Sequence, residues 1–120
     1  MRFCWTTIHV KSMEDSLRFY KEIVGLEEVN RFSAGPDMEI VFLGRGETKI
    51  ELICNKSHGD INIGKDISIG FIVDSLEEKI KLIEEKGIKM LSGIVQPNPH
   101  TKFFFVMDPN GLTVQFVEQK

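Results

Sequence analysis

The sequence predicts an α+β fold of two βαβββ modules forming a curved mixed sheet around a cavity. Three observations carry that prediction. Each half of the chain opens with a β-rich run that leads into one segment of helical spacing. Each of those segments is followed by three strand candidates separated by turn residues. Matching features also recur 62 to 64 residues apart: Ser12 with Ser75, Gly25 with Gly87, and Ile50-Glu51-Leu52 with Val114-Gln115-Phe116.

In the first half, Phe3 to Val10 reads as a strand of β-branched and aromatic residues. Met13, Leu17, Tyr20 and Val24 then form one apolar stripe, with Phe19 and Ile23 beside it, which predicts a helix over 13–24. Ser12 with Asp15 makes a capping-box pattern at its start, and Gly25 supplies the left-handed residue that ends it. Strands are expected at 27–32, 39–43 and 49–54, divided by Ser33-Ala34-Gly35-Pro36-Asp37 and Gly44-Arg45-Gly46-Glu47.

The second half repeats the order. Ile67 to Val73 is β-rich, and Asp74 or Ser75 caps a helix over 75–86, with Glu78 completing a capping box with Ser75. Leu76, Ile80 and Ile83 share a face of this helix before Gly87 stops it. Strands are expected at 88–95, 102–107 and 112–117. The domain reading is a single domain over 1–120, with modules 1–55 and 66–120 and a polar linker 56–65. A module with its helix on one face of the sheet leaves the other face to be covered or to enclose something. Both helices are therefore expected on the convex side of one curved eight-stranded sheet.

Composition narrows the function classes. At 120 residues and 42% hydrophobic, the chain can bury a core without disulfides or metals. A formal charge of −3 with no basic block argues against nucleic acid. No apolar run approaches the roughly 20 residues of a membrane span, and the first residues lack the apolar core of a secretory signal. Two cysteines, Cys4 and Cys54, form no CxxC pair, so a reducing cytoplasm is expected.

Three stretches carry a family resemblance: Ile8-His9-Val10 with Ser16-Leu17-Arg18-Phe19-Tyr20 and Gly25-Leu26; Ile50-Glu51-Leu52; and Asp108-Pro109-Asn110-Gly111 with Val114-Gln115-Phe116. In this order and spacing the chain resembles the vicinal oxygen chelate superfamily, which includes glyoxalase I, bleomycin-resistance proteins and extradiol dioxygenases. The resemblance implies the glyoxalase/bleomycin-resistance fold and commonly a homodimer. It also implies four metal-ligand positions, which here are Trp5, Glu51, Ser68 and Gln115. Glu51 alone is the expected kind of ligand. Trp5 has no basic lone pair and Ser68 is a weak neutral donor, whereas a tight site needs three or four imidazole, carboxylate or thiolate groups. No cofactor is therefore expected and no metal ligand is assigned. A divalent metal remains as a lesser alternative through a displaced set of His9, Glu51 and Gln115, with His9 about 13 Å along the strand from Trp5.

Strand alternation places Trp5, Thr7 and His9 on one face, and the turn at Asp108 sets Phe103 and Phe105 on the cavity side with Phe104 and Val106 toward the helices. The expected ligand-binding residues are Trp5, Thr7, His9, Ser68, Phe103, Phe105 and Gln115, an aromatic pocket with a few polar groups. Glu51 is the catalytic candidate, expected otherwise as a hydrogen-bond acceptor with Gln115 and Ser68 as neighbours. His58 and His100 are expected in solvated loops. Two functions follow: a metal-free protein binding a drug or metabolite, or a lactoylglutathione-lyase-type lyase/isomerase in which Glu51 moves a proton α to a carbonyl. No arginine pair at cavity-facing positions matches a glutathione carboxylate, and chelation normally supplies several kcal/mol of enediolate stabilisation. Binding is the favoured reading.

Overall fold

The computed structural model describes all 120 residues. The chain divides into two compact units, Met1–Asn62 and Ile63–Lys120. The eight strands pair as two four-stranded sheets, one in each unit, rather than as the single eight-stranded sheet expected.

The first unit contains β1 (Trp5–His9), α1 (Met13–Leu17), a π-helical continuation (Arg18–Val24), β2 (Glu28–Ser33), β3 (Met38–Leu43) and β4 (Lys49–Asn55). The sheet order is β1-β4-β3-β2, with β1 parallel to β4 and the other pairs antiparallel. Ser12 caps the helix as its sequence signature requires, its Oγ accepting from the Asp15 N–H at 3.2 Å. The helix ends at Gly25, whose φ of 92° is open to a residue without Cβ. The expected 13–24 span is helical throughout, but its second half widens into π-helical winding. That winding buries Phe19, Tyr20 and Ile23 together and leaves Val24 half-buried, so the inward face departs from the regular stripe. These side chains join Ile8, Val10, Val41, Leu43, Ile50 and Leu52, all buried.

The second unit contains β5 (Ser68–Ile72), α2 (Leu76–Glu85), β6 (Val95–Asn98), β7 (Thr101–Met107) and β8 (Thr113–Gln119), in the order β5-β8-β7-β6. Ser75 Oγ accepts from the Glu78 N–H at 3.2 Å, the same cap as in the first unit. Leu76 and Ile83 pack with Phe104, Val106, Val114 and Phe116 in its core. Glu118, buried in β8, accepts from the Leu76 N–H at 3.0 Å and so ties the last strand to the helix start.

The strand expected at 88–95 is not formed as one run. Ser92-Gly93 interrupts it: before the break Met90 and Leu91 reach β7 through a bridge to Val106 and a hydrogen bond to Phe105 O at 2.8 Å, and after it Val95 pairs with Phe103 as the first residue of β6. Pairing resumes at β6, an edge strand where the missing N–H of Pro97 is tolerated and where the register slips between Val95 and Asn98. The turn Asp108-Pro109-Asn110-Gly111 is held by the Asp108 carboxylate, whose Oδ1 accepts from the N–H groups of Asn110 and Leu112, both at 2.8 Å. It fixes the phase of β7: Phe104 and Val106 are fully buried on the helix side, and Phe103 and Phe105 lie half-buried on the other.

Candidate functional site

In the first unit, the sheet face away from the helix carries the polar and aromatic side chains. Register sets this out, because directly paired residues share a face. Trp5 pairs with Lys49, Thr7 with Glu51 and His9 with Ile53, while Phe42 of β3 flanks Glu51 from the other side. Thr7 Oγ1 donates to Glu51 Oε1 at 2.6 Å, a short charge-assisted bond. The Trp5 and Phe42 rings meet edge to face at 5.0 Å, and Phe32 extends the aromatic row at 6.4 Å from Phe42. Beside Trp5 lies a recess of about 540 Å³ whose walls include Phe42, Asn30, Arg45 and Lys49.

His9 stands at the far end of this face. His58, expected in a solvated loop, instead stacks on it with ring centroids 4.2 Å apart and planes 10° from parallel. The Nδ1 of His9 is buried and has no hydrogen-bond partner.

The second unit repeats the register. Ser68 pairs with Thr113 as Trp5 does with Lys49, and Gly70 pairs with Gln115 as Thr7 does with Glu51. Phe105 flanks Gln115 as Phe42 flanks Glu51. Phe103 and Phe105 meet edge to face at 5.7 Å. A Cβ on Gly70 would lie 3.1 Å from Gln115 Oε1, so the amide rests over the space that a side chain fills at Thr7 in the first unit. Thus Trp5, Thr7, His9 and Glu51 share one face, and Ser68, Phe103, Phe105 and Gln115 share another. The neighbour that hydrogen-bonds Glu51 is Thr7, which pairing between β1 and β4 brings to it.

Residues 2–116 match the family model described as the Glyoxalase/Bleomycin resistance protein/Dioxygenase superfamily. The chain belongs to this glyoxalase superfamily. Its relatives include a lactoylglutathione lyase of Escherichia coli O157:H7, 28% identical over 129 residues covering 100% of this chain and 94% of the relative. The uncharacterized YwbC of Bacillus subtilis is 26% identical over 119 residues, covering 95% and 94%. Among solved structures, the trypanothione-dependent glyoxalase I of Leishmania major superposes with a TM-score of 0.82 at 22% identity, covering 98% of this chain and 86% of that one. A glyoxalase family protein of Bacillus cereus superposes at 0.84 with 17% identity, covering 99% and 94%. At these identities the superpositions show the glyoxalase fold.

The four positions that the family resemblance marks for ligands, Trp5, Glu51, Ser68 and Gln115, offer no donor set that fits a divalent ion. In the first unit they hold an indole and one carboxylate, and an oxygen of that carboxylate is already taken by Thr7. In the second they hold a hydroxyl and an amide. Neither unit brings three His, Cys, Asp or Glu side chains together. His9 offers an unpartnered ring nitrogen, but its nearest ring is the stacked His58, and parallel rings do not aim two nitrogens at one ion.

Asn30, Phe42 and Lys49 were not among the site residues expected from the sequence. Alternation counted back from Glu51 puts Lys49 on its face. Phe42 needed the β3–β4 register, which depends on where the intervening turn closes.

Proposed function

We propose that this glyoxalase-superfamily protein binds a small organic molecule on the open face of the first unit's sheet without a divalent ion. Trp5 and Phe42 serve as the apolar wall, and Thr7 with Glu51 as the polar pair. The observation that carries the reading is the Thr7–Glu51 hydrogen bond beside the Trp5–Phe42 contact, since specific small-molecule sites combine an apolar wall with a few placed polar groups. Ser68, Phe103, Phe105 and Gln115 take ligand-contacting roles on the second unit's face, and His9 a wall position. Glu51 accepts from a ligand hydroxyl or amine through the oxygen that Thr7 leaves open.

The test is a fragment screen read by amide and indole NMR shifts, together with nickel and zinc calorimetry. Ligands should move the resonances of Trp5, Thr7 and Glu51, and Glu51→Gln should weaken those that carry a donor. Stoichiometric metal binding at micromolar affinity, abolished by Glu51→Gln, would overturn the metal-free reading.

The relatives named lactoylglutathione lyase, matched along the whole chain, favour a second reading. In it Glu51 is the base that moves a proton α to a carbonyl. Turnover of the methylglyoxal–glutathione hemithioacetal, lost in Glu51→Gln with the fold intact, would put this reading first. We also propose a cytoplasmic homodimer. Exposed apolar side chains such as Phe32, Ile72 and Met107 support pairing, and a monomer in light scattering at micromolar concentration would refute it.

A further inference from the structure

We propose that the recess beside Trp5 takes a flat organic carboxylate, with its ring against Trp5 and Phe42 and its carboxylate on Lys49. This rests on the small-molecule reading above and adds the ligand's charge and shape. The recess, about 540 Å³, falls within the roughly 300–1,000 Å³ of small-molecule pockets. Its polar side chains are Asn30, Arg45 and Lys49, each with N–H groups to donate, and no carboxylate is among its walls.

The three donors differ in what they have left to give. Arg45 is committed to Glu27, donating through Nε and Nη2 at 2.8 and 2.9 Å, and that pair holds the Glu27 carboxyl below its usual range. Asn30 uses its Oδ1 to accept from the Arg31 N–H at 2.9 Å, which leaves its amide N–H groups as donors. Lys49 is half-buried, and its ammonium makes no ion pair or hydrogen bond within the protein. The adjoining recess, which shares Trp5 and Lys49, adds Arg2 and Glu47, one charge of each sign, so among the side chains lining the two recesses the charge left unbalanced is that of Lys49, with the Glu51 carboxylate next along the same face.

An ammonium half-withdrawn from water beside aromatic rings gains most from an anion that completes its hydrogen bonds. A neutral ligand leaves it only water. Trp5 remains 42% exposed because Phe42 meets it edge to face, so indole surface is left for a planar ring to cover. Position 51 faces the same way as position 49, two residues along β4, so a hydroxyl or amine on the far side of the ring would meet Glu51.

Trp5 is the single tryptophan, so its indole N–H gives one resolved NMR signal at the site itself. Titration compares 2-naphthoate with 2-naphthamide, which share a ring system and differ in charge. Naphthoate should shift the Trp5 signal saturably and bind about five- to tenfold more tightly than the amide, the scale of one charge-assisted contact. Lys49→Met should bring the two compounds within about twofold, and Lys49→Arg should keep the preference. Equal binding, a preference that survives Lys49→Met, or no Trp5 shift from either compound overturns the proposal. Neutral fragments that shift Trp5 and Glu51 while naphthoate has no advantage sink this proposal and leave the small-molecule reading standing. If no compound shifts any residue of the face, both fall.

Discussion

Phe104 and Phe105 are adjacent in β7, and replacing each in turn by alanine separates the core face of the second unit from its open face. Phe104 is fully buried among Val106, Val114 and Phe116, with its ring centroid 5.5 Å from that of Phe116. Truncation there removes a whole ring and leaves a cavity, which costs about 3–5 kcal/mol. Phe105 is half-buried and its ring contact is an edge-to-face one with Phe103, so truncation should cost about 1 kcal/mol. Both variants place alanine in the same strand, so the loss of β-propensity is common to both and cancels in the difference. The expected gap is about 2–4 kcal/mol, against a total of about 6–18 kcal/mol for a chain of 120 residues. Urea denaturation with matched slopes measures it. Losses equal within about 0.5 kcal/mol would mean that β7 is not phased as described, and the ligand-facing role of Phe103 and Phe105 would fall with it.

Two further predictions concern the helix starts. Ser12→Ala and Ser75→Ala each remove a cap hydrogen bond of 3.2 Å and should each destabilise by about 1 kcal/mol. The sites share no partner, so the double variant should lose about the sum, and a double loss well short of it in the same urea assay would show the caps to be coupled. Glu118 is held below its usual carboxylate range, chiefly by the Leu76 N–H, with Lys102 and Lys120 assisting and burial opposing. A carboxyl lowered on folding contributes stability fully above its unfolded pKa and loses it as pH falls through the folded value. Glu118→Gln should therefore weaken the protein near pH 7 and flatten the decline in stability below about pH 5, as read by thermal denaturation across pH. A parallel decline in wild type and variant would refute the assignment.

Much of the fold was legible because its signals are local. Ser12 and Ser75 announce caps, Gly25 announces a left-handed stop, and the Asp108 turn sets which residues of β7 point to the helix. Each of these is decided within four or five residues of sequence. The π-helical winding at 18–24 was not legible, since its apolar residues fit an α-helical stripe nearly as well, and burying Phe19, Tyr20 and Ile23 together is a packing outcome. The same holds for 88–95, where a β-rich composition does not reveal that the run breaks at Ser92-Gly93, with Met90 and Leu91 reaching β7 before the break and Val95 after it.

By itself, then, the sequence determined the module order, the helix boundaries and the turn that phases β7, because capping and turn chemistry are properties of short segments and single residues. Tertiary structure decided which side chains meet. Thr7 reaches Glu51 across 44 residues, His58 comes back onto His9, and Phe42 and Lys49 close around Trp5, each through strand register or loop return. A register shift of one residue would reverse every one of those faces, and register is set by the packing of a whole sheet against its helix rather than by any segment alone.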